Sequence, residues 1–195
     1  MPAKQAAPRR AHGVANRVRI IGGQYRRRLL EFPDREGLRP TPDRVRETLF
    51  NWLGQDLPGW ACLDLFAGSG ALGFEAASRG AASVLMVERD AAAAAALEKN
   101  RSALGVAAVE VLRVDALAWL ANDRTAWDLI FLDPPFDSGL AERVLPTLAA
   151  HLAPGGQVYV EQGAPVIPPA GFIMARSGRA GRSHFALLAK EETTC

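Results

Sequence analysis

From Trp60 onward, short apolar runs alternate with longer amphipathic or alanine-rich stretches. Runs near 61–66, 83–88, 108–113, 127–132 and 156–161 have strand length, and a closing pair falls near 171–176 and 183–189. Helices are predicted between them, near 71–79, 90–104, 115–121 and 139–151. This alternation builds a mostly parallel sheet with helices on both faces. Pro146 lies inside the last helix and should kink or split it, because it lacks a backbone N–H. The Ala91–Ala96 run is a strong helix former and carries no further signal. Pro165, Pro168 and Pro169 mark a loop before the closing pair.

Upstream the pattern differs. Residues 1–16 have no apolar periodicity and read as a disordered basic tail. Val18-Arg19-Ile20-Ile21, then Gly22-Gly23, then Gln24 to Phe32 predict a β-hairpin with a Gly-Gly turn. Thr41-Pro42-Asp43 predicts a helix start, with Thr41 as N-cap and Pro42 at the first helical position. That helix runs to about Leu53, with Val45, Leu49, Phe50 and Leu53 on one face and Gly54 ending it.

Composition changes the picture only in its charge. At 195 residues, 49% hydrophobic and 23% charged, the chain fits one soluble domain with a small appendage. No apolar run reaches membrane-spanning length, and no signal-peptide core is present. Cys62 and Cys195 form neither a disulfide framework nor a metal cluster. A cytoplasmic, metal-free monomer is the expectation. The net charge of +2 hides an asymmetry, since residues 1–46 hold twelve Lys/Arg against four Asp/Glu. The front is thus +8, which leaves −6 for the remainder. The front end suits a polyanion. Tyr25-Arg26-Arg27-Arg28 adds three guanidinium forks for phosphates and a ring for stacking on a base. A solvated edge strand guarded by charge is the other reading of that stretch.

The first predicted strand of the α/β part ends in Asp64-Leu65-Phe66-Ala67-Gly68-Ser69-Gly70-Ala71-Leu72-Gly73. Gly68, Gly70 and Gly73 match the dinucleotide pattern G-x-G-x-x-G, and Glu88 follows at the end of the next strand, placed to bond a ribose. Asp64 argues against a pyrophosphate there, because a carboxylate would repel it while attracting a cationic amino-acid group. Asp115 closes the third strand, placed to accept an adenine amino proton or to cap the following helix. Acids at three successive strand ends suit S-adenosylmethionine, with its ammonium, ribose diol and adenine. The candidate cofactor residues are Asp64, Phe66, Gly68, Ser69 and Gly70 at the turn, Glu88 with Arg89, and Asp115 with Ala116.

The fourth strand ends in Asp133-Pro134-Pro135-Phe136. Two prolines cannot continue a central ladder, and Asp133 before them is pushed to extended geometry. A carboxylate and an aromatic ring are thereby held at the sheet's ligand-binding edge. Hydrogen bonds from an exocyclic amine to Asp133 and the Pro134 carbonyl would aim its lone pair at a methyl group. Phe136 would stack on a base taken out of its helix, and Asp133 could accept the departing proton.

With Leu38-Arg39-Pro40-Thr41-Pro42-Asp43-Arg44-Val45-Arg46-Glu47-Thr48-Leu49-Phe50-Asn51 added to those two motifs, the chain resembles the bacterial 16S rRNA guanine-N2 methyltransferases that modify guanine 966. The likeness spans roughly residues 17–189. The resemblance implies a Rossmann-like class I methyltransferase with a seven-stranded, mostly parallel sheet and a small N-terminal β-hairpin. It also implies 16S rRNA as partner, in an assembling small ribosomal subunit. It carries cofactor binding onto Asp64, Gly68, Gly70, Glu88 and Asp115, and catalysis onto Asp133, Pro134, Pro135 and Phe136. Arg27 departs from the family, which usually has glycine between two basic residues there. The expected organisation is a tail at 1–16, an RNA-facing hairpin and helix at 17–54, and a methyltransferase domain at 55–195. Arg26, Arg27, Arg28, Arg39, Arg44 and Arg46 are the candidate RNA-binding residues. Among rivals, a DNA amino-methyltransferase would usually need a target-recognition domain for which 195 residues leave little room. A nicotinamide oxidoreductase leaves Asp133–Phe136 without a role, and a non-catalytic RNA-binding module leaves the three acids without one.

Overall fold

The structure, a computed structural model, describes residues 16–35, 38–136 and 138–191. The predicted tail, apart from Asn16, lies outside the described residues. A two-stranded antiparallel hairpin pairs β1 (Asn16–Arg19) with β2 (Leu29–Phe32), and α1 (Asp43–Trp52) follows. The α/β part runs β3 (Ala61–Asp64), α2 (Ala71–Ser78), β4 (Ser83–Val87), α3 (Ala91–Leu104), β5 (Val109–Leu112), α4 (Ala116–Leu120) and β6 (Trp127–Leu132). It closes with α5 (Leu140–Val144), a 3-10 helix (Leu145–His151), β7 (Leu152–Gln162), β8 (Phe172–Ala180) and β9 (Ser183–Lys190). The α-helix gives way to the 3-10 turn just before Pro146, as its missing N–H requires.

The seven strands lie in the order β5-β4-β3-β6-β7-β9-β8. β5 through β7 are mutually parallel, and β9 and β8 add an antiparallel edge. Chain order reverses between β3 and β6, so the connections leave in opposite directions there and a crevice opens at the strands' carboxyl ends. The strand pleat sorts the core into two layers. Leu129 and Phe131 of β6 face α1, α2 and the hairpin, while Ile130 and Leu132 face α4 and α5. No helix among the described residues is long and apolar enough to cross a membrane.

The hairpin differs from its expected form. Gly22 and Gly23 make no two-residue turn. The strands stop at Arg19 and resume only at Leu29, so Tyr25 to Arg28 sit in a turn and not on a strand. The cause is a docking contact on α2. A Cβ at Gly23, whose φ is +71°, would lie 1.8 Å from the Ser78 carbonyl oxygen. Gln24 N–H donates to that same carbonyl at 2.7 Å, and Tyr25 N–H donates to Ser78 Oγ at 2.9 Å. Arg27 also adopts a left-handed backbone, φ 71°. This is a conformation glycine takes without strain.

Buried Glu75 joins hairpin, α1 and α2. It accepts from the N–H groups of Ile21 and Gly22 at 2.8 Å each, from Arg46 at 3.2 Å and from Arg79 at 2.8 Å. Four donors satisfy a carboxylate's lone-pair capacity, which is how an ion cluster can sit in the core. Arg79 also lies 4.6 Å over the Phe50 ring.

Candidate active site

A cleft of about 1230 Å³ opens over the β3/β6 switch point. Asp64 is the last residue of β3, and Glu88, Asp115 and Asp133 come just after or near the ends of β4, β5 and β6, so four strand ends converge on it. Phe66, Gly68, Ser69, Arg89 and Ala116 also line the cleft. Gly70 does not. It precedes α2 with φ 77°, and a Cβ there would lie 2.6 Å from Leu97 Cδ2. Its contribution is the close packing of turn against helix.

Each acid at the turn has a defined job. Asp64 is almost fully buried, and its Oδ2 accepts from Gly73 N–H at 3.0 Å. Its Oδ1 has no hydrogen bond among the described residues. Burial pushes its carboxyl up to about 7, with the Gly73 N–H opposing and the Glu88 charge adding to the rise. Glu88 is pinned between two backbone donors, Gly68 N–H at 2.9 Å and Asp90 N–H at 2.7 Å. Asp115 caps α4 by accepting from Ala118 N–H at 3.0 Å, yet it stays exposed on the cleft wall. The turn amides that a pyrophosphate would use are therefore already engaged by Glu88 and Asp64. The site is built for a nucleoside without phosphates and for a cationic group.

At the other end of the cleft, Pro134 is buried while Phe136 stands half-exposed at the rim. Asp133 Oδ2 accepts from Thr41 Oγ1 at 3.0 Å. That bond corrects the expected role of Thr41, since the residue before α1 is Pro42 and no side chain caps the helix. The threonine instead makes the loop before α1 a wall of the cleft.

Sequence reasoning missed Glu161. This buried residue near the end of β7 accepts from Tyr159 O–H at 2.7 Å and from Ser183 O–H at 2.6 Å, and it lines the cleft. The signal was available, because Glu161 closes a predicted strand as Asp64, Glu88 and Asp115 nearly do. Burial raises the Asp133 carboxyl well above the ordinary range, and the Glu161 charge raises it further, against the Thr41 hydrogen bond. Cys62 has no part here: burial pushes its thiol up to about 12.

The arginines separate. Arg39 lines the cleft and Arg44 is exposed on α1. Arg46 is fully buried, so its assignment to RNA contact is corrected: its guanidinium meets Glu75 and Asp43 (2.6 Å) and donates to the Thr41 carbonyl. Arg26, Arg27 and Arg28 are exposed but away from the cleft walls. Arg28 donates to the Ala103 carbonyl, at the far end of α3.

Comparison with known proteins agrees with this geometry. The family described as conserved hypothetical protein 95 matches residues 18–189. "Ribosomal RNA small subunit methyltransferase D" of Escherichia coli K12 is 43% identical over 186 residues, covering 92% of this chain and 93% of its own. The protein of that name from Haemophilus influenzae is 42% identical over 172 residues, covering 84% and 89%. The solved structure of Escherichia coli yhhF superposes with a TM-score of 0.83 at 42% identity, covering 91% of this chain and all of that one. An RNA methyltransferase from Salinibacter ruber, solved with S-adenosyl-L-homocysteine, shares the fold at a TM-score of 0.64 and 21% identity, covering 80% of this chain and 97% of that one. With a class I methyltransferase sheet and matches of this length, the chain belongs to the family described as conserved hypothetical protein 95, that of the ribosomal RNA small subunit methyltransferases D.

Proposed function

We propose that this protein is an S-adenosylmethionine-dependent rRNA methyltransferase that methylates the exocyclic N2 amine of a guanine in 16S rRNA, within an assembling small subunit. The observation that carries the reading is the meeting of Asp133–Phe136 with the Asp64–Glu88–Asp115 wall in one cleft.

The residues fit the cofactor. Glu88, held by two backbone donors, presents acceptor lone pairs for a ribose diol, Asp115 does so for an adenine amine, and Asp64 faces a cationic ammonium. Phe66, Gly68, Ser69, Arg89 and Ala116 complete that wall. S-adenosylmethionine supplies an electrophilic methyl on a sulfonium, so the protein's task is orientation. Asp133 Oδ1, which has no hydrogen bond among the described residues, and the Pro134 carbonyl accept the two protons of the amine. Pro135 stiffens that loop, and the half-exposed Phe136 ring stacks on the extruded base. A methylated amine must shed one proton, and a carboxyl raised by burial beside Glu161 is suited to hold it.

The experiment is methyl transfer by Asp133→Ala. Turnover should fall roughly 10²–10⁴-fold while cofactor affinity stays near that of the parent. Single-turnover rates equal to the parent's would remove Asp133 from the chemistry.

A further inference from the structure

A cleft walled by Asp64, Glu88, Asp115, Asp133 and Glu161 repels a polyphosphate chain. Cations at its rim therefore decide where an RNA backbone can pass. The Arg26–Arg28 turn is badly placed for this. Gln24 and Tyr25 bond to Ser78 at the end of α2, and Arg28 reaches Ala103 near the end of α3. Both helices begin at the cleft edge and run away from it. At about 1.5 Å per residue, those anchors lie about 11 Å and about 18 Å from the helices' cleft ends.

The opposite holds at the sheet's antiparallel edge. β7 ends at the cleft, β9 pairs with it as Gln162 with His184, and β8 pairs with β9 as Ala180 with Ser183. The β8–β9 turn is thereby delivered to the cleft rim, where Ala180, Arg182 and Ser183 form part of the wall. Between Glu161 and Glu191 the chain carries Arg176, Arg179, Arg182 and Lys190 and no acid, a basic island in a body that is otherwise strongly acidic. Arg182 is exposed, lines the cleft and forms no ion pair among the described residues, whereas Arg179, next to Ala180 on the strand, lines a separate hollow with His184 and Phe185. Arg179 Nε donates to the Gly181 carbonyl at 3.0 Å, which steadies the turn. Ser183, next to Arg182, holds Glu161, while Thr41, two residues from Arg39, holds Asp133. Arg39 and Arg182 thus line the same cleft, each within two residues of a hydroxyl that holds one member of the acid pair.

We propose that the β8–β9 turn, through Arg182, grips RNA phosphate beside the reacting nucleotide, together with Arg39. This inference rests on the functional reading above. A nucleotide drawn out of its stack is held when the phosphates on either side of it are fixed, and exposed guanidinium groups suit that role.

The test is a salt titration of binding to small-subunit rRNA from cells lacking the modification, with methyl transfer measured in parallel. The parent is compared with Arg182→Gln and with Arg26→Gln/Arg27→Gly/Arg28→Gln, the glycine matching the left-handed backbone of Arg27. Losing one phosphate contact should flatten the slope of log K against log salt by about 0.7–0.9. Binding should weaken about threefold or more, while cofactor affinity and melting temperature stay unchanged. Arg182→Lys should restore the slope, because a phosphate accepts any point charge. An Arg182→Gln protein with the parent's slope, or a larger loss per arginine in the Arg26–Arg28 variant, would overturn the grip alone. A parent that methylates no rRNA would overturn the functional reading and the grip with it.

Discussion

Holding the cofactor's ammonium with Asp64, as proposed above, makes cofactor binding a titration. Burial lifts its carboxyl to about 7, so at pH 8 it is about nine-tenths ionised and at pH 6 about one-tenth. Only the ionised form attracts the ammonium of S-adenosylmethionine. Affinity should therefore fall about tenfold from pH 8 to pH 6, and binding at pH 7 should release about half a proton. The assay is calorimetry at pH 6, 7 and 8 in two buffers of different ionisation enthalpy. Asp64→Asn keeps an oxygen for the Gly73 N–H but cannot titrate. The ligand's own amine titrates equally against both proteins, so the ratio of parent to variant affinity isolates Asp64. Stability moves the other way. The native state holds a proton that the unfolded chain has released, so stability present below about pH 4 is lost as pH rises toward 7. The loss is bounded at about 4 kcal/mol, and Asp64→Asn should be the more stable protein at pH 8. A parent-to-variant affinity ratio that is flat from pH 6 to 8 would refute the reasoning.

Three further outcomes follow from the geometry. Glu88→Ala should weaken cofactor binding by about 1.5–3 kcal/mol, read by calorimetry, with NADH showing no tight binding to the parent. Phe136→Ala should weaken RNA capture by about 1–3 kcal/mol and leave cofactor affinity unchanged. Arg46→Ala should leave the buried Glu75 charge short of a partner and lower unfolding stability by about 3–5 kcal/mol, with no change in the salt dependence of RNA binding per folded molecule.

The α/β frame was legible because its signals are local. Apolar runs, the Gly68–Gly73 turn, the Pro146 break and the Asp133–Phe136 motif each encode their own geometry. The errors arose where tertiary contacts override local preference. Thr41 has the chemistry of an N-cap, but its hydroxyl goes to Asp133, 92 positions away. Gly22-Gly23 looks like a hairpin turn, but α2 claims it through Ser78 and Glu75. Arg46 carries the charge of an RNA contact, but with Leu49, Phe50 and Leu53 it heads an i, i+3, i+4, i+7 stripe and so lies on the buried face. Its partner Glu75 could not be read from spacing. Glu161 also closes a predicted strand, but its place at the site depends on β7 bordering β6, which brings this acid beside Asp133. The place of Arg182 depends on strand direction, which only the antiparallel pairing of β9 supplies.

The central claim is a methyl group on the N2 amine of guanine. Small-subunit rRNA from cells lacking the modification, alone and in partly assembled particles, is incubated with the protein and labelled S-adenosylmethionine. The RNA is then digested to nucleosides and separated by chromatography with mass detection. The account predicts N2-methylguanosine as the one labelled nucleoside, at no more than one per RNA, lost in Asp133→Ala. Label in N6-methyladenosine or a methylated pyrimidine, or none in either RNA while the protein binds cofactor, would contradict it.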